Sequence, residues 1–330
     1  MKPLTALLIL FLSFTAAQAQ ERDHITVRRA LSLMGSPFEI TVVAQNEEIG
    51  YINIEEAAAE IKRIEKLISS WDSESETSKI NKNAGIRPVK VSLELFKLIE
   101  RSVQISEITY GAFDISYASL DKLWRFDGSM EYLPSAAEVE KSLSKVGYRN
   151  IVLNSNETTV FLKEKGMKIA FGAIGKGYAA DKAKELLVSK QVPAGMINAA
   201  GDITTWGTKA SGEKWLIGVD NPKDQGLFFS WIPLVESSVA ITGNHSAYVT
   251  FNGKRYSHII NPKTGYPAMG LKKVTVLSKS AEFCDALSTA IYIMGKKLGL
   301  ALVNQLDGTE VVILDEDDNV FKSNGILPNN

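Results

Sequence analysis

Short strand-like segments, separated by turns and interrupted by a few long helical patterns, constrain the fold of this 330-residue chain most strongly. Residues 26–44 read as two strands around a turn, and residues 194–251 contain several further short segments of the same kind. The longest helical pattern keeps one apolar face from Ile54 to Ile68, with Asn53 and Glu56 predicted as its capping pair. Such an order is typical of an α+β fold with mostly antiparallel β-sheets flanked by helices.

The remaining patterns complete the predicted order of elements. The polar stretch 70–83 reads as a loop, and no linker rich in Pro, Gly or Ser divides the chain. We therefore expect a single domain over residues 20–330. Further helices are predicted at 93–107, at 135–147 behind a capping box, at 281–294 and at 298–305, and strands at 151–171, 273–277 and 310–314.

Residues 1–19 read as a secretory signal peptide. Lys2 supplies a positive charge, residues 7–14 are apolar, and Ala17-Gln18-Ala19 has the small-residue spacing of a cleavage site. The apolar run is too short for a membrane span and no cysteine follows it to carry a lipid, so we expect a periplasmic protein without a transmembrane anchor. Cys284 is the only cysteine, so no intrachain disulfide can form. Cleavage of the predicted signal peptide would remove Lys2 and change the net charge from −1 to −2. This charge gives no support for nucleic acid as a partner.

A glycine-rich stretch from Ala170 to Asp181 is the first candidate for chemistry. Alternating apolar residues over 167–171 predict a strand before the glycines, and a helical period predicts a helix after them. Glycines let a backbone approach a ligand closely, and helix-start N–H groups favour anions. A P-loop is excluded, because only two residues separate Gly172 from Gly175-Lys176 and Gly177 follows the lysine. Two readings stay open: a phosphate-handling turn, or a tight strand–helix turn with a solvated lysine.

The predicted helix after Ser280 places oxygen atoms on one face. Asp285, Ser288 and Thr289 stand at positions i, i+3 and i+4, so their side chains converge. Hard oxygen ligands suit Mg²⁺, which takes one or two carboxylates and completes its octahedron with water and substrate phosphate. Hydrogen bonding of these side chains to the backbone is the alternative.

His258 stands out among three histidines because a predicted strand leads through it into an Asn261-Pro262 turn. An imidazole can take up and return a proton near neutral pH, so His258 is a candidate acid or base, with a structural role as the alternative. Two other motifs, 111–114 and 198–202, are rich in small residues and are either turns or places where a ligand comes close.

Taken together and in this order, these motifs resemble the ApbE family, the FAD:protein FMN transferases. The resemblance covers nearly all of the chain after the predicted signal peptide. It runs through seven segments: Met34-Gly35, Gly111-Ala112-Phe113-Asp114, Gly172-Ala173-Ile174-Gly175-Lys176-Gly177, Asn198-Ala199-Ala200-Gly201-Asp202, Gly218-Val219-Asp220-Asn221-Pro222, His258-Ile259-Ile260-Asn261-Pro262-Lys263-Thr264-Gly265 and Asp285-Ala286-Leu287-Ser288-Thr289.

The resemblance implies a T-fold-like core and a reaction. A member of this family cleaves FAD, attaches FMN through a phosphoester bond to a threonine or serine hydroxyl of a target flavoprotein, and releases AMP in a Mg²⁺-dependent step. The acceptor would be an FMN-binding domain of an electron-transfer complex, and a homodimer is compatible with the resemblance. A second hypothesis, of a different class, is an exported FAD-binding protein that stores or delivers flavin and hydrolyses FAD only slowly.

The resemblance also implies roles for single residues. His258 would deprotonate or orient the incoming hydroxyl, while Asp285, Thr289 and the main-chain carbonyl of Ala173 would hold Mg²⁺. The chain departs from the family at Ala170, where an aspartate that touches the adenosine portion is common. The flavin nucleotide would be bound by Met34 and Trp71 on either side of the isoalloxazine ring, by Ala112, Phe113, Asp114 and Ile259 around it, by Ser288 beside it, and by Lys176 at the diphosphate or adenosine.

Overall fold

The structure is a computed structural model that describes residues 24–120, 123–126, 129–220, 228–243, 248–251 and 253–326. The predicted signal peptide lies outside these residues, as does the Asn221-Pro222 end of one family motif. No helix in the described ranges is long and apolar enough to cross a membrane.

Within the described residues the chain forms seven α-helices, two short 3₁₀ turns and fifteen strands. The helices are α1 (Glu47–Ile68), α2 (Glu76–Lys82), α3 (Leu93–Ile108), α4 (Ala136–Leu143), α5 (Gly175–Ser189), α6 (Ala281–Met294) and α7 (Lys296–Val303), and the 3₁₀ turns cover Ile115–Leu120 and Tyr148–Asn150. The strands are β1 (Ile25–Leu33), β2 (Ser36–Ala44), β3 (Val89–Lys90), β4 (Ile151–Asn154), β5 (Thr159–Leu162), β6 (Ala194–Ala199), β7 (Asp202–Trp206), β8 (Trp215–Asp220), β9 (Phe228–Leu234), β10 (Ser238–Gly243), β11 (Tyr248–Phe251), β12 (Lys254–Ser257), β13 (Leu271–Ser278), β14 (Glu310–Asp315) and β15 (Val320–Lys322).

The central sheet has eight strands in the order β1-β2-β6-β7-β10-β13-β14-β15, and each neighbouring pair is antiparallel. Three small antiparallel sheets accompany it: β3-β5-β4, β8-β9 and β11-β12. The predicted α+β class with mostly antiparallel sheets is therefore confirmed.

The two faces of the central sheet are covered by different layers. Phe38, Ile40 and Val42 of β2 alternate towards a core built with α1 and α5, as side chains on one face of a strand must. Val43 points the opposite way and packs with Trp215 of β8. Helix α5 contacts α1 on one side and α6 on the other, so α5 and α6 lie next to each other against the sheet.

The predictions for the start of α1 and for residues 70–83 are wrong. Helix α1 begins at Glu47 rather than after Asn53, because Asn46 already caps it by accepting a hydrogen bond from the Ile49 N–H at 2.9 Å. The segment 70–83 is not all loop, because Ser75 caps the short helix α2. Its buried residues include small polar ones, so the helix has no apolar stripe for a periodicity argument to detect.

Candidate functional site

A cavity of about 420 Å³ opens where the 3₁₀ turn at 115–120, the glycine-rich turn before α5, the end of β10, the segment after β12 and helix α6 meet. Five of the sequence motifs, 111–114, 172–177, 198–202, 258–265 and 285–289, contribute residues to these walls, and the fold brings them together. Nine of the predicted site residues line the cavity: Ala112, Phe113, Asp114, Ala173, Lys176, His258, Ile259, Asp285 and Thr289.

A second groove of about 770 Å³ adjoins the cavity and contains the other two residues predicted to touch flavin. Met34 lies at the β1–β2 turn with a φ of 51°, and Trp71 lies beyond the end of α1 and is 82% exposed. The groove and the cavity share the wall residues Ala170, Gly172 and Lys176, among others. Met34 and Trp71 thus line the groove, residues 112–114 line the cavity, and the shared residues lie where the two spaces adjoin.

Ser288 lies behind the cavity wall. It is fully buried, and its hydroxyl contacts Thr242 Oγ1 at 2.7 Å and donates to the Asp285 carbonyl at 3.0 Å. Thr242 is also 3.4 Å from Thr289 Oγ1. Ser288 therefore connects α6 to the end of β10, and Thr289, one residue further along the helix, lines the cavity.

Asp114 uses its carboxylate for hydrogen bonds inside the protein. Its Oδ1 accepts from the Ser116 N–H at 2.8 Å and from the Ser116 hydroxyl at 2.6 Å, and its Oδ2 accepts from the Tyr148 N–H at 2.8 Å. Burial is the main cause that raises the pKa of Asp114, and these donors oppose it. Asp114 lines the cavity, but its clearest role is to fix the backbone of the 3₁₀ turn.

The strand predicted at 167–171 is wrong, since this segment pairs with no strand among the described residues. Side chains take the place of a neighbouring strand. Asn81 accepts from the Ile169 N–H at 2.8 Å and donates to the Ile169 carbonyl at 3.0 Å. Ser119 accepts from the Lys168 N–H at 2.9 Å and donates to the Lys168 carbonyl at 3.0 Å. The backbone is thereby satisfied outside a sheet and leads the chain rigidly into the glycines.

Gly177 lets α5 and α6 touch backbone to backbone. A Cβ built at Gly177 would lie 2.2 Å from the Ala281 carbonyl oxygen and 2.9 Å from Asp285 Cβ. The Gly177 N–H donates to Asp285 Oδ2 at 3.2 Å. The glycine is required by this close approach, and it places Asp285 against the first turn of α5.

Asp181, on the next turn of α5, holds the start of α6. Its carboxylate accepts from the Ser280 hydroxyl at 2.8 Å and from the N–H groups of Ala281 and Glu282, each at 3.0 Å. Three donors at the N-terminus of α6 are thus satisfied by one buried carboxylate. Gly177 and Asp181 together set the position of the helix that carries Asp285 and Thr289.

Two buried carboxylates share one lysine on the cavity wall. Lys176 forms a close ion pair with Asp202, and its Nζ is 3.8 Å from Asp285 Oδ2. Burial, with the charge of Asp285, outweighs the lysine and raises the pKa of Asp202 to about 8. Burial alone would lower the pKa of Lys176, but the two carboxylates raise it. The cluster therefore lacks one positive charge when both acids are ionised.

The residues present fit a Mg²⁺ ion. The Asp285 carboxylate, the Thr289 hydroxyl and Ala173 all lie on the cavity wall, and a carboxylate, a hydroxyl and a carbonyl are hard oxygen donors of the kind Mg²⁺ takes. Two carboxylates, Asp202 and Asp285, share a single ammonium, and this excess of acidic groups favours a cation at the same place. Over the described ranges, no three His, Cys, Asp or Glu side chains form a metal site by themselves. Water and substrate phosphate would have to complete the coordination, which is usual for Mg²⁺.

His258 lies on the rim of the cavity, directly after β12 ends at Ser257. It is exposed, and its ring meets Phe126 edge to face at 6.4 Å between centroids. The predicted turn follows, where Asn261 Oδ1 accepts from the Lys263 N–H at 2.9 Å. An exposed imidazole across the cavity mouth is placed to meet an incoming group from solvent.

Comparison with known proteins decides the family. A sequence model of the ApbE family matches residues 34–313, which is most of the chain. The chain belongs to the ApbE family. The FAD:protein FMN transferase of Klebsiella pneumoniae is 30% identical over 293 residues, covering 88% of this chain and 90% of that protein. The FAD:protein FMN transferase of Treponema pallidum is 28% identical over 289 residues, covering 83% and 80%.

Solved structures agree with this assignment. The ApbE protein of Thermotoga maritima superposes with a TM-score of 0.82 at 32% identity, covering 91% of this chain and 97% of that one. The flavinyl transferase ApbE of Pseudomonas stutzeri, at 24% identity, shares the fold with a TM-score of 0.81, covering 91% and 95%. The ApbE fold is therefore common to these proteins and to this chain.

Several residues of the site had no role in the sequence analysis. Asp202 was visible as the end of a small-residue motif, but its pairing with Lys176 depends on β7 reaching α5. Asp181 closes the glycine-rich stretch, but its three hydrogen bonds go to the start of α6, about 100 residues further along the chain, and no local pattern indicates them. Thr242 and Asn81 act through contacts distant in sequence, and no local pattern indicates them.

Proposed function

We propose that this protein is a Mg²⁺-dependent FAD:protein FMN transferase that acts in the periplasm on a threonine or serine hydroxyl of a flavoprotein. One observation carries the proposal: His258 on the rim, the Asp285–Thr289 pair on the wall and Lys176 all line the same cavity. A proton acceptor, a cation site and an ammonium around one space are the parts that phosphoryl transfer uses.

The chain's own residues account for binding and proton transfer. The Lys176 ammonium, which lines the cavity, binds the diphosphate of FAD. The Ala173 carbonyl, Asp285 and Thr289 would hold Mg²⁺, which neutralises charge on the phosphates when it is bound. His258 takes the proton from the acceptor hydroxyl. The hydroxyl oxygen then bonds to the phosphorus of the FMN half, the phosphorus–oxygen bond to the AMP half breaks, and AMP leaves.

The exposure of His258 supports transfer to a protein. A hydroxyl carried on another protein cannot enter a deeply buried site, and His258 is accessible at the mouth of the cavity. The carboxylates of Asp202 and Asp285 are buried, and Lys176 is partly buried beside them. The acceptor would therefore approach over the rim, and FAD would occupy the interior.

The test is incubation of the mature chain with FAD, Mg²⁺ and an FMN-binding domain, followed by intact-protein mass spectrometry. The proposal expects the acceptor to gain the mass of one FMN. His258→Ala should bind FAD with wild-type affinity and lose about 10²- to 10⁴-fold in transfer rate, the range of general-base contributions. Tight FAD binding without any mass gain on acceptors would instead favour an FAD carrier, and an unchanged rate in His258→Ala would refute the role of this histidine.

A further inference from the structure

Tyr117 lies where the cavity and the groove meet. It belongs to the 3₁₀ turn at 115–120 and lines both spaces, together with Ser36, Ala170, Gly172 and Lys176. A dinucleotide that reaches from the carboxylates in the cavity to Trp71 in the groove passes these five residues. Lys176 is the one cation among them, and Ala170 offers no polar side-chain atom. Tyr117 and Ser36 carry the two hydroxyls of this set, and the Tyr117 hydroxyl is the one that lies against the glycine-rich turn.

The phenolic oxygen of Tyr117 is held against the glycine-rich turn. A Cβ built at Gly172 would come within 2.5 Å of this oxygen, and the Gly172 main-chain amide faces it as a donor. Burial, opposed by that amide and reinforced by the charge of Asp285, raises the pKa of Tyr117, so the phenol keeps its proton at neutral pH. An oxygen that accepts from Gly172 can still donate its own O–H to a ligand.

The turn that carries Tyr117 is fixed on both sides. Asp114 accepts from the Ser116 N–H and hydroxyl, and the Ile115 carbonyl accepts from the Ala170 N–H at 2.9 Å. The 3₁₀ turn and the glycine-rich turn are thus one unit, and the hydroxyl reaches the ligand without reorganisation. A hydrogen bond from a fixed donor costs little conformational entropy on binding.

We infer that Tyr117 is a nucleotide-binding residue, whose hydroxyl donates a hydrogen bond to an oxygen of the FAD diphosphate as the dinucleotide crosses from the cavity to the groove. The inference rests on the proposed function. The hydroxyl supplies a polar contact on the wall where Ala170 supplies none, and it acts beside Lys176 on the same phosphates. The affinity for ligands that contain a diphosphate should depend on the Tyr117 hydroxyl, and the affinity for a flavin without phosphate should not.

The experiment compares Tyr117→Phe with wild type by isothermal titration with FAD, ADP and riboflavin in the presence of Mg²⁺. Loss of a hydrogen bond to a charged group predicts about 10-fold weaker binding of FAD and of ADP, with riboflavin changed less than about 2-fold. Tyr51→Phe is the matched control, because Tyr51 is an exposed tyrosine on α1 away from both spaces, and it should leave all three affinities unchanged.

Equal affinity of wild type and Tyr117→Phe for FAD would overturn the inference. Equal weakening for riboflavin would also overturn it, because it would show a change of shape rather than a lost contact to phosphate. If Tyr117→Phe does not fold, Tyr117→His, which keeps a ring donor, should bind ADP more tightly than Tyr117→Leu, and equal values would overturn the inference. Failure of the wild-type protein to bind FAD at all would refute the proposed function itself.

Discussion

Replacement of Gly177 by alanine tests how α5 positions the predicted metal ligands. The added methyl would lie 2.2 Å from the Ala281 carbonyl oxygen and 2.6 Å from its carbon, which are backbone atoms that cannot rotate away. Because Cβ atoms do not come closer than 3.0 Å to another heavy atom, α5 and α6 have to move relative to each other by at least about 0.8 Å, the difference between 3.0 and 2.2 Å. Asp285, one turn further along α6, moves with it.

The magnitude follows from two opposing effects. Overpacking costs about 1–3 kcal/mol, and alanine gains up to about 1 kcal/mol over glycine in a helix, so the net loss of unfolding free energy is about 0–2 kcal/mol. For a domain of this size, about 2–4 °C of Tm corresponds to each kcal/mol. The effect on the site is larger, since misplacement of a reacting group by about 1 Å can cost about 10²-fold in rate.

The assay pairs thermal unfolding with a Mg²⁺ titration of FMN transfer. Gly177→Ala should lose no more than about 8 °C of Tm while transfer at saturating FAD falls about 10²-fold and needs more Mg²⁺. Gly175→Ala is the matched control: the same change in the same helix meets the end of the flexible Ile68 side chain at 2.8 Å, which can rotate away. It should stay close to wild type in both measurements.

The reasoning fails if Gly177→Ala transfers FMN at the wild-type rate with the wild-type Mg²⁺ dependence. It also fails if Gly175→Ala and Gly177→Ala lose activity equally, since the contact with the Ala281 backbone would then be irrelevant. A Tm loss without an activity loss would show that the α5–α6 contact stabilises the fold but does not set the position of Asp285.

Four further predictions follow from single contacts. Asp285→Asn removes one of the two buried carboxylates that share a lysine, so the Tm measured without metal should stay the same or rise. The increase in Tm that Mg²⁺ causes in the wild type should disappear, and an unchanged increase would contradict the role of Asp285 as a ligand. Asp181→Ala leaves three hydrogen-bond donors at the N-terminus of α6 without their acceptor, so Tm should fall by several degrees. The Mg²⁺ concentration needed for transfer should rise. An unchanged Tm and an unchanged Mg²⁺ requirement would contradict this role of Asp181. Trp71→Ala, at an 82% exposed position, should weaken FAD binding about 5- to 100-fold with Tm unchanged, as fluorescence titration would show. The hydrogen bond that Lys296 donates lowers the pKa of Asp315 from 3.8 to about 2. Ionised Asp315 therefore stabilises the fold fully above about pH 4, and this stabilisation is lost as the pH falls through 2. The Tm difference between wild type and Asp315→Asn should shrink over that range.

Periodic segments of this chain could be predicted from sequence, because burial of one face of a helix or strand requires apolar residues at regular spacing. The helix at Ala281–Met294 appears at the predicted residues, and the capping box at Ser135 and Glu138 is formed as expected. The antiparallel class follows from short segments joined by turns. Segments stabilised by single side chains were not predictable in this way: residues 167–171 alternate like a strand, yet Asn81 and Ser119 provide their hydrogen bonds.

Within the site, too, features that follow from a periodic pattern could be predicted and features that depend on single long-range contacts could not. Asp285 and Thr289 share a face of one helix, so their convergence follows from helical geometry alone. The joining of Lys176 to Asp202 depends on the packing of α5 against β7, which no local pattern specifies. Family resemblance placed Asp114 and Ser288 at the flavin, and the structure adds that both make internal hydrogen bonds.

The most direct test of the account is the ratio of AMP released to FMN bound on the acceptor, measured in one reaction by chromatography and intact-protein mass spectrometry. The account predicts one AMP for each FMN attached to an acceptor hydroxyl, with both products lost together when Mg²⁺ is chelated or His258 is replaced by alanine. AMP released with no FMN on the acceptor would show a hydrolase instead, and would contradict the central claim that this cavity transfers FMN to a protein.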